Sequence, residues 1–187
     1  MRCFVAVQPP EEARDHLAEF LDPRRDIAPF RWVDPEQVHL TLAFLGNLPE
    51  HRLDDFVERL ERAASRRRPL PTAITGGGAF PHVSGARVLW TGLDLDEDDA
   101  LQLRRAAEGA RAAANRAGAQ LDGQRFRPHL TVARCPRPTE VTPWVRLLDA
   151  YRGPDWTIDE FVLIESHLGE GPRRRPRYEL VAEFAFG

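Results

Sequence analysis

Residues 38–46 read VHLTLAFLG and residues 128–134 read PHLTVAR. Both contain His-Leu-Thr, then an apolar residue, then Ala: His39, Leu40, Thr41, Leu42, Ala43, and again His129, Leu130, Thr131, Val132, Ala133. These are β-compatible residues, so both stretches read as strands. Alternation in a strand puts His39 and Thr41 on one face, and His129 and Thr131 likewise. On the same rule Leu40, Leu42 and Phe44 take the opposite face, and the histidine's own face continues as Ala43 and Leu45. A polar pair at the end of a strand otherwise apolar on both sides marks a cleft rather than a wetted surface. With six His and eight Thr in 187 residues, chance placement yields roughly 0.3 His-x-Thr triplets. Two such triplets with matching flanks are therefore a signal.

Around these strands the chain reads as one soluble globular unit. It is 42% apolar and 29% charged, with a formal net charge of −3, so no global basic field advertises nucleic acid. All 26 basic residues are Arg, so any phosphate contact falls to guanidinium, backbone or neutral donors. Cys3 and Cys135 make no CxxC and no disulfide framework, and they read as reduced cytosolic thiols. The opening MRCFVAVQPPEEARDH is too short in its apolar run for a signal peptide, and no run reaches transmembrane length. The expected location is cytoplasmic and the expected state a monomer.

In chain order, a strand is expected at 2–8, a helix at 10–21, a loop at 22–36, then the first His strand closed by Gly46. An amphipathic helix follows over 49–67, with Arg66, Arg67 and Arg68 matched to its C-terminal dipole. Two strands, 70–80 and 86–93, flank FPHVSG; Gly76, Gly77 and Gly78 read as a bulge or bend, since no Lys-Ser/Thr follows them. The acids of 94–99 read as the start of a helix over 97–117 that Gly118 ends. The second His strand, 125–134, a helix capped by Thr142 and Pro143, and strands 157–168 and 177–186 around GEGPRRRP complete the chain. This order predicts an α+β fold: two pseudo-symmetric lobes, roughly 1–93 and 94–187, each a mainly antiparallel sheet with helices outside. They form a single bilobal domain over 1–187, with strand exchange between the lobes and the His strands lining a shared cleft.

Two imidazoles facing one cavity supply an acid and a base near neutral pH, and two Thr hydroxyls supply donors for one small anion. In-line displacement at phosphorus needs that set, and a cyclic phosphodiester adds ring strain, so neither a metal nor a cofactor is required. No third zinc ligand stands at a recognisable spacing. His16 and His51 fall in helices, His82 in a loop, and His167 at a strand end.

The paired HLTLAFLG and RPHLTVAR motifs resemble the two HxTx signatures of the 2H phosphoesterase superfamily, and within it the RNA 2′,3′-cyclic phosphodiesterase branch, also called 2′-5′ RNA ligase-like. RCFVAV, FP…RVLW and FVLIESHL…YELVAEF resemble its opening strand, central segment and closing hairpin. The resemblance implies a bilobal fold and hydrolysis of 2′,3′-cyclic phosphate ends of RNA or nucleotides to 2′-phosphates, with 2′-5′ joining in some members. It casts His39 as proton donor and His129 as proton acceptor, roles that nothing in either strand separates, and Thr41 and Thr131 as holders of the phosphate oxygens. An arginine near the phosphate corresponds to Arg134, although alternation points Arg134 away from His129. Phe4 and Phe126 are open to base stacking or core packing, and Arg173, Arg174 and Arg175 to RNA guidance or simple solvation. Three rivals stay open. One is a phosphodiesterase of another small cyclic phosphate, the second a non-catalytic RNA- or nucleotide-binding module, and the third a zinc-dependent hydrolase.

Overall fold

The structure, a computed structural model, describes residues 1–187. The first half contains β1 (Cys3–Val7), α1 (Glu11–Leu21), β2 (Arg31–Trp32), β3 (Leu40–Asn47), α2 (Leu53–Ala64), β4 (Leu70–Thr72), β5 (Ile74–Phe80) and β6 (Ala86–Leu93). The second contains α3 (Glu97–Arg116), β7 (Gln120–Leu121), β8 (Leu130–Thr139), α4 (Thr142–Asp149), β9 (Trp156–Ile158), β10 (Glu160–His167) and β11 (Arg177–Ala185).

Seven strands run in the order β11-β10-β1-β3-β8-β6-β5, all antiparallel, with β2 and β7 added at the side and β4-β9 as a separate ribbon. The α+β class and antiparallel pairing expected from the sequence are what the structure shows. The two expected sheets differ in one respect: they are continuous. β3 meets β8 through the single pair Leu40–Leu130, and both side chains are buried. Strands from both halves of the chain build the β11-β10-β1-β3 side, since β1 lies between β3 and β10.

The helices cover one face. Helix α2 buries Phe56, Leu60 and Ala64, and α3 buries an alanine stripe of Ala106, Ala107, Ala110, Ala113 and Ala114, which lets the two helices and β3 approach closely. Helix α4 packs on β5, while α1 buries Ala13, Leu17 and Leu21. Beneath them lies one apolar cluster that includes Cys3, Val5, Val7, Leu40, Leu42, Ala43, Leu45, Leu130, Val132 and Ala133. A separate small cluster of Phe4, Ala6, Val162 and Ile164, with Phe44 and Tyr178 against it, occupies the other face of the sheet.

Local signals explain the boundaries. Asp96 caps α3 by accepting the Asp99 amide hydrogen bond at 2.7 Å, so the acids of 94–99 are a helix start. Gly118, at φ 78°, takes the left-handed turn that ends the helix. Gly76, at φ 82°, sits where the β5–β6 register shifts between Thr75 and Gly77, the bulge its glycine run announced. The 22–36 segment is not all loop: Arg31 and Trp32 pair with Arg134 and Ala133. The second His strand starts at Leu130 and runs to Thr139, displaced towards the C-terminus from the stretch its apolar pattern indicated but no longer than it. No helix is long and apolar enough to cross a membrane.

The single Leu40–Leu130 pair makes a stability prediction. Leu130→Ala removes a fully buried side chain at the only seam between the two strand groups, and should lower the unfolding free energy by about 2–5 kcal/mol. Urea unfolding of the variant beside the parent measures it; a loss below about 1 kcal/mol would show that the seam carries little of the fold.

Candidate active site

Both motif strands carry the same irregularity at the same place. Opposite β1, the register steps from Val5–Ala43 to Ala6–Thr41, leaving Leu42 as an extra residue. Opposite β6, it steps from Leu89–Ala133 to Trp90–Thr131, leaving Val132 extra. An extra residue resets the alternation of side chains. Burial follows it in both copies: positions 40, 42, 43 and 45 are buried while 41 and 44 are not, and 130, 132, 133 and 135 are buried while 131 and 134 are not.

Simple alternation therefore fails beyond the threonines. Ala43 and Leu45 enter the core with Leu40, and Phe44 joins the His39–Thr41 face. By the same shift Arg134, which strict alternation turns away, shares the face of Thr131 and His129. Phe44 and Arg134 are thus equivalent positions of the two repeats. Arg2 lies over the Phe44 ring, its guanidinium carbon 4.4 Å from the centroid.

The histidines themselves stand one residue ahead of their strands rather than within them. Each is fixed by the same short bond. His39 Nδ1 lies 2.7 Å from the carbonyl oxygen of Gln37, and His129 Nδ1 lies 2.6 Å from that of Arg127. A carbonyl only accepts, so Nδ1 carries the hydrogen in both rings and Nε2 is left as the working nitrogen. The Thr41 hydroxyl reaches His39 Nε2 at 3.1 Å. Because Leu40 pairs with Leu130, residues 39, 41, 129 and 131 all project from the sheet face opposite those leucines.

Aromatic rings wall each imidazole. Phe4 stacks on His39 at 4.7 Å and 25°, and Tyr178 meets it edge-on at 5.8 Å. Phe80 meets His129 edge-on at 4.8 Å, with Trp90 at 6.2 Å. Gly78 leaves room for the Trp90 indole, where any β-carbon would collide with that ring. Phe4 is 3% exposed, so as a base-stacking platform it offers little surface. Phe126 packs against the main core. Of the Arg173–Arg175 run, Arg175 turns inward and donates to the Trp32 carbonyl oxygen at 2.8 Å, while Arg173 and Arg174 are exposed.

Burial lowers the pKa of both imidazoles; hydrogen bonds to Gln37 and Arg127 oppose it in part. Arg134 pushes both down further, and His129 does the same to His39. Both imidazoles thus disfavour the charged form, His39 in part because a charge on His129 would repel it. Burial raises the Tyr178 phenol, against the pull of Arg134 and Arg2. The cysteines are buried elsewhere, with Cys3 pushed up to about 11 by desolvation.

One group of metal-type ligands exists: Glu165, His167 and Glu179, whose donor atoms lie within 4.8 Å of one another. Glu165 pairs with Cys3, a core-face residue, so this group faces away from His39. Arg177 already binds Glu170 at 3.0 Å and Glu179 at 3.2 Å, which makes the cluster an ion-pair network. Sequence reading missed Tyr178, Phe80, Trp90 and the carbonyls of Gln37 and Arg127. The last two had a signal, since both stand two residues before a motif histidine.

This chain is similar to known proteins over nearly its whole length. The family model described as LigT like Phosphoesterase matches residues 7–90 and 93–173. An RNA 2′,3′-cyclic phosphodiesterase of Thermus thermophilus is 32% identical over 99% of this chain and 90% of its own length. One from Archaeoglobus fulgidus is 31% identical over 90% of this chain and 92% of its own. The crystal structure of the Thermus thermophilus protein TT0787 superposes with a TM-score of 0.78 at 31% identity, covering 100% of this chain and 98% of that one.

The depressed imidazoles predict a pH signature. Folded-state pKa values below the unfolded value of about 6.5 mean that the unfolded chain binds more protons in acid. The stabilisation is full above about 6.5 and is lost as pH falls from there through the folded values. NMR titration of the free protein should place both imidazole midpoints below 6.5, and a His39→Gln/His129→Gln double variant should lose less thermal stability than the parent between neutral and acid pH. Midpoints at or above 6.5 would contradict the burial argument.

Proposed function

This chain belongs to the LigT-like phosphoesterase family, and we propose that it opens 2′,3′-cyclic phosphate ends of RNA, or of nucleotides, to leave 2′-phosphates. The observation that carries the reading is the duplicated His-x-Thr pair on one sheet face. Each histidine is tied through Nδ1 to the carbonyl two residues back, and Arg134 lies beside both. Relatives named RNA 2′,3′-cyclic phosphodiesterase, alike over most of their length, support the choice of substrate.

In this reaction His129 Nε2 takes a proton from water as the oxygen attacks phosphorus. The bond from phosphorus to the ribose 3′ oxygen breaks on the opposite side, and His39 Nε2 delivers its proton to that oxygen. A 2′-phosphate and a free 3′ hydroxyl result, and His39 has lost the proton that His129 gained. The donor and acceptor labels follow the family resemblance of the two motifs. Thr41, Thr131 and Arg134 hold the non-bridging oxygens, where charge accumulates. The phosphate anion offsets the desolvation that depresses the free imidazoles, so one histidine carries a proton in the complex. Because the acid, the base and the charge-bearing donors are all present among these side chains, the step is complete without a Lewis acid.

Hydrolysis of an oligoribonucleotide ending in 2′,3′-cyclic phosphate, in excess EDTA, tests the reading. Turnover should persist, follow a bell-shaped pH profile and yield only 2′-phosphate ends. His39→Ala and His129→Ala should each lower kcat by about 10²–10⁴-fold. Retained turnover in both variants would overturn the two-histidine mechanism, and dependence on added metal would overturn its metal independence.

A further inference from the structure

We infer that Arg31, which stands beside Arg134, binds the phosphodiester next to the reacting cyclic end, so that the site distinguishes an RNA strand from a mononucleotide. This deepens the reading above and rests on it. Strand register is the starting point. Arg31 on β2 stands directly opposite Arg134 on β8, and Trp32 opposite Ala133. Trp32 and Ala133 are both core residues, so Arg31 and Arg134 together occupy the other face, which the Val132 bulge makes the face of His129 and Thr131. Cα atoms of directly opposed residues lie about 5 Å apart, so two guanidiniums project side by side from adjacent strands. Both are exposed.

Like charges directly opposed across a sheet destabilise it. Here no carboxylate relieves them: neither Arg31 nor Arg134 takes part in an ion pair. Arg175 adds a third guanidinium, bonded to the backbone oxygen of Trp32 beside Arg31. Guanidiniums opposed on adjacent strands of the site face, with no carboxylate bound to either, are suited to an anion.

The position of Arg31 says which anion. β6 holds one edge of β8 at Ala133 and Arg134, so β2 lies along the other, the edge that meets β3 at Leu130. Arg31 therefore stands further along β8 from that seam, roughly 10 Å at the rise of a strand, past the threonines, where a mononucleotide has no further charge to offer and a strand has its next phosphodiester. A planar guanidinium binds two phosphate oxygens at once.

The test compares 2′,3′-cyclic AMP with a short oligoribonucleotide ending in the same cyclic nucleotide. The parent, Arg31→Ala and Arg31→Lys are measured, with Arg104→Ala on the exposed side of α3 as a remote control. Arg31→Ala should lower kcat/KM for the oligonucleotide on the order of 10-fold more than for the mononucleotide, as loss of a charge-assisted bond implies. Lysine should restore part of that ratio, and Arg104→Ala should leave the ratio as it is. Fluorescence anisotropy with a labelled oligoribonucleotide ending in 2′-phosphate should show the log Kd against log salt slope reduced by about 0.7 in Arg31→Ala, one single-strand phosphate contact. Equal loss on both substrates, or an unchanged salt slope, overturns the inference. A parent that turns over neither substrate instead defeats the functional reading, and the anisotropy slope still decides Arg31.

Discussion

The whole arrangement depends on one pair of leucines and the bulge that follows each of them. Leu40 and Leu130 face each other in the core and join two strand groups into one sheet. The residues flanking them must therefore emerge together on the opposite face, and these are His39, Thr41, His129 and Thr131. One residue past each threonine, the extra Leu42 or Val132 sends two consecutive side chains inward. That step lets a strand bury almost every apolar residue it has and still return a third functional position to the site face. Without the bulge, Arg134 would be a buried, unpaired cation on the core side, which a protein interior does not tolerate cheaply.

The second constraint is electrostatic. The helices and the main core lie on one face, so the other is free to gather groups that disfavour acids. Phe4 and Tyr178 dry the surroundings of His39, and Phe80 and Trp90 those of His129. Desolvation and Arg134 then act in the same direction, lowering the pKa of both imidazoles. In the proposed reaction the substrate supplies the charge that the site lacks. The protonated state needed for acid catalysis then forms when phosphate is bound, and the free enzyme is spared the cost of a buried cation pair.

How much of this was legible in the chain follows from what each feature depends on. The repeated His-x-Thr triplets, the antiparallel class, the helix over 97–116 and the glycine bulge were legible, because local chemistry fixes them: propensity, capping and backbone freedom. The face assignments beyond Thr41 and Thr131 were not. Period-two alternation assumes an unbroken ladder, and a bulge is a property of two paired strands rather than of either alone. Arg31 and Trp32 looked like loop for the same reason: two residues have no period, and only the pairing to Arg134 and Ala133 makes them a strand. Alternation puts Tyr178 with Ala182 and Phe184, yet the β10–β11 register shifts between Leu180 and Ala182, so Tyr178 joins Phe4 while Phe184 enters the main core; its approach to His39 also depends on β1 lying between β3 and β10.

The two repeats are nearly equivalent in backbone, down to the carbonyl that holds each imidazole, yet the reaction proposed for them is not symmetric. Water enters on one side of phosphorus and a ribose oxygen leaves on the other, so a twofold scaffold must be broken somewhere. It is broken at equivalent positions 44 and 134. Position 134 is an arginine with Arg31 beside it, and position 44 is a phenylalanine capped by Arg2. The walls differ too, a stacked Phe4 on one side and an edge-on Phe80 on the other. Charge is concentrated beside His129, while apolar packing is heavier beside His39, whose pKa is lowered by its neighbour as well as by burial. In the proposed reaction the duplicated strands supply the acid and the base, and the differences between the repeats give the site its asymmetry.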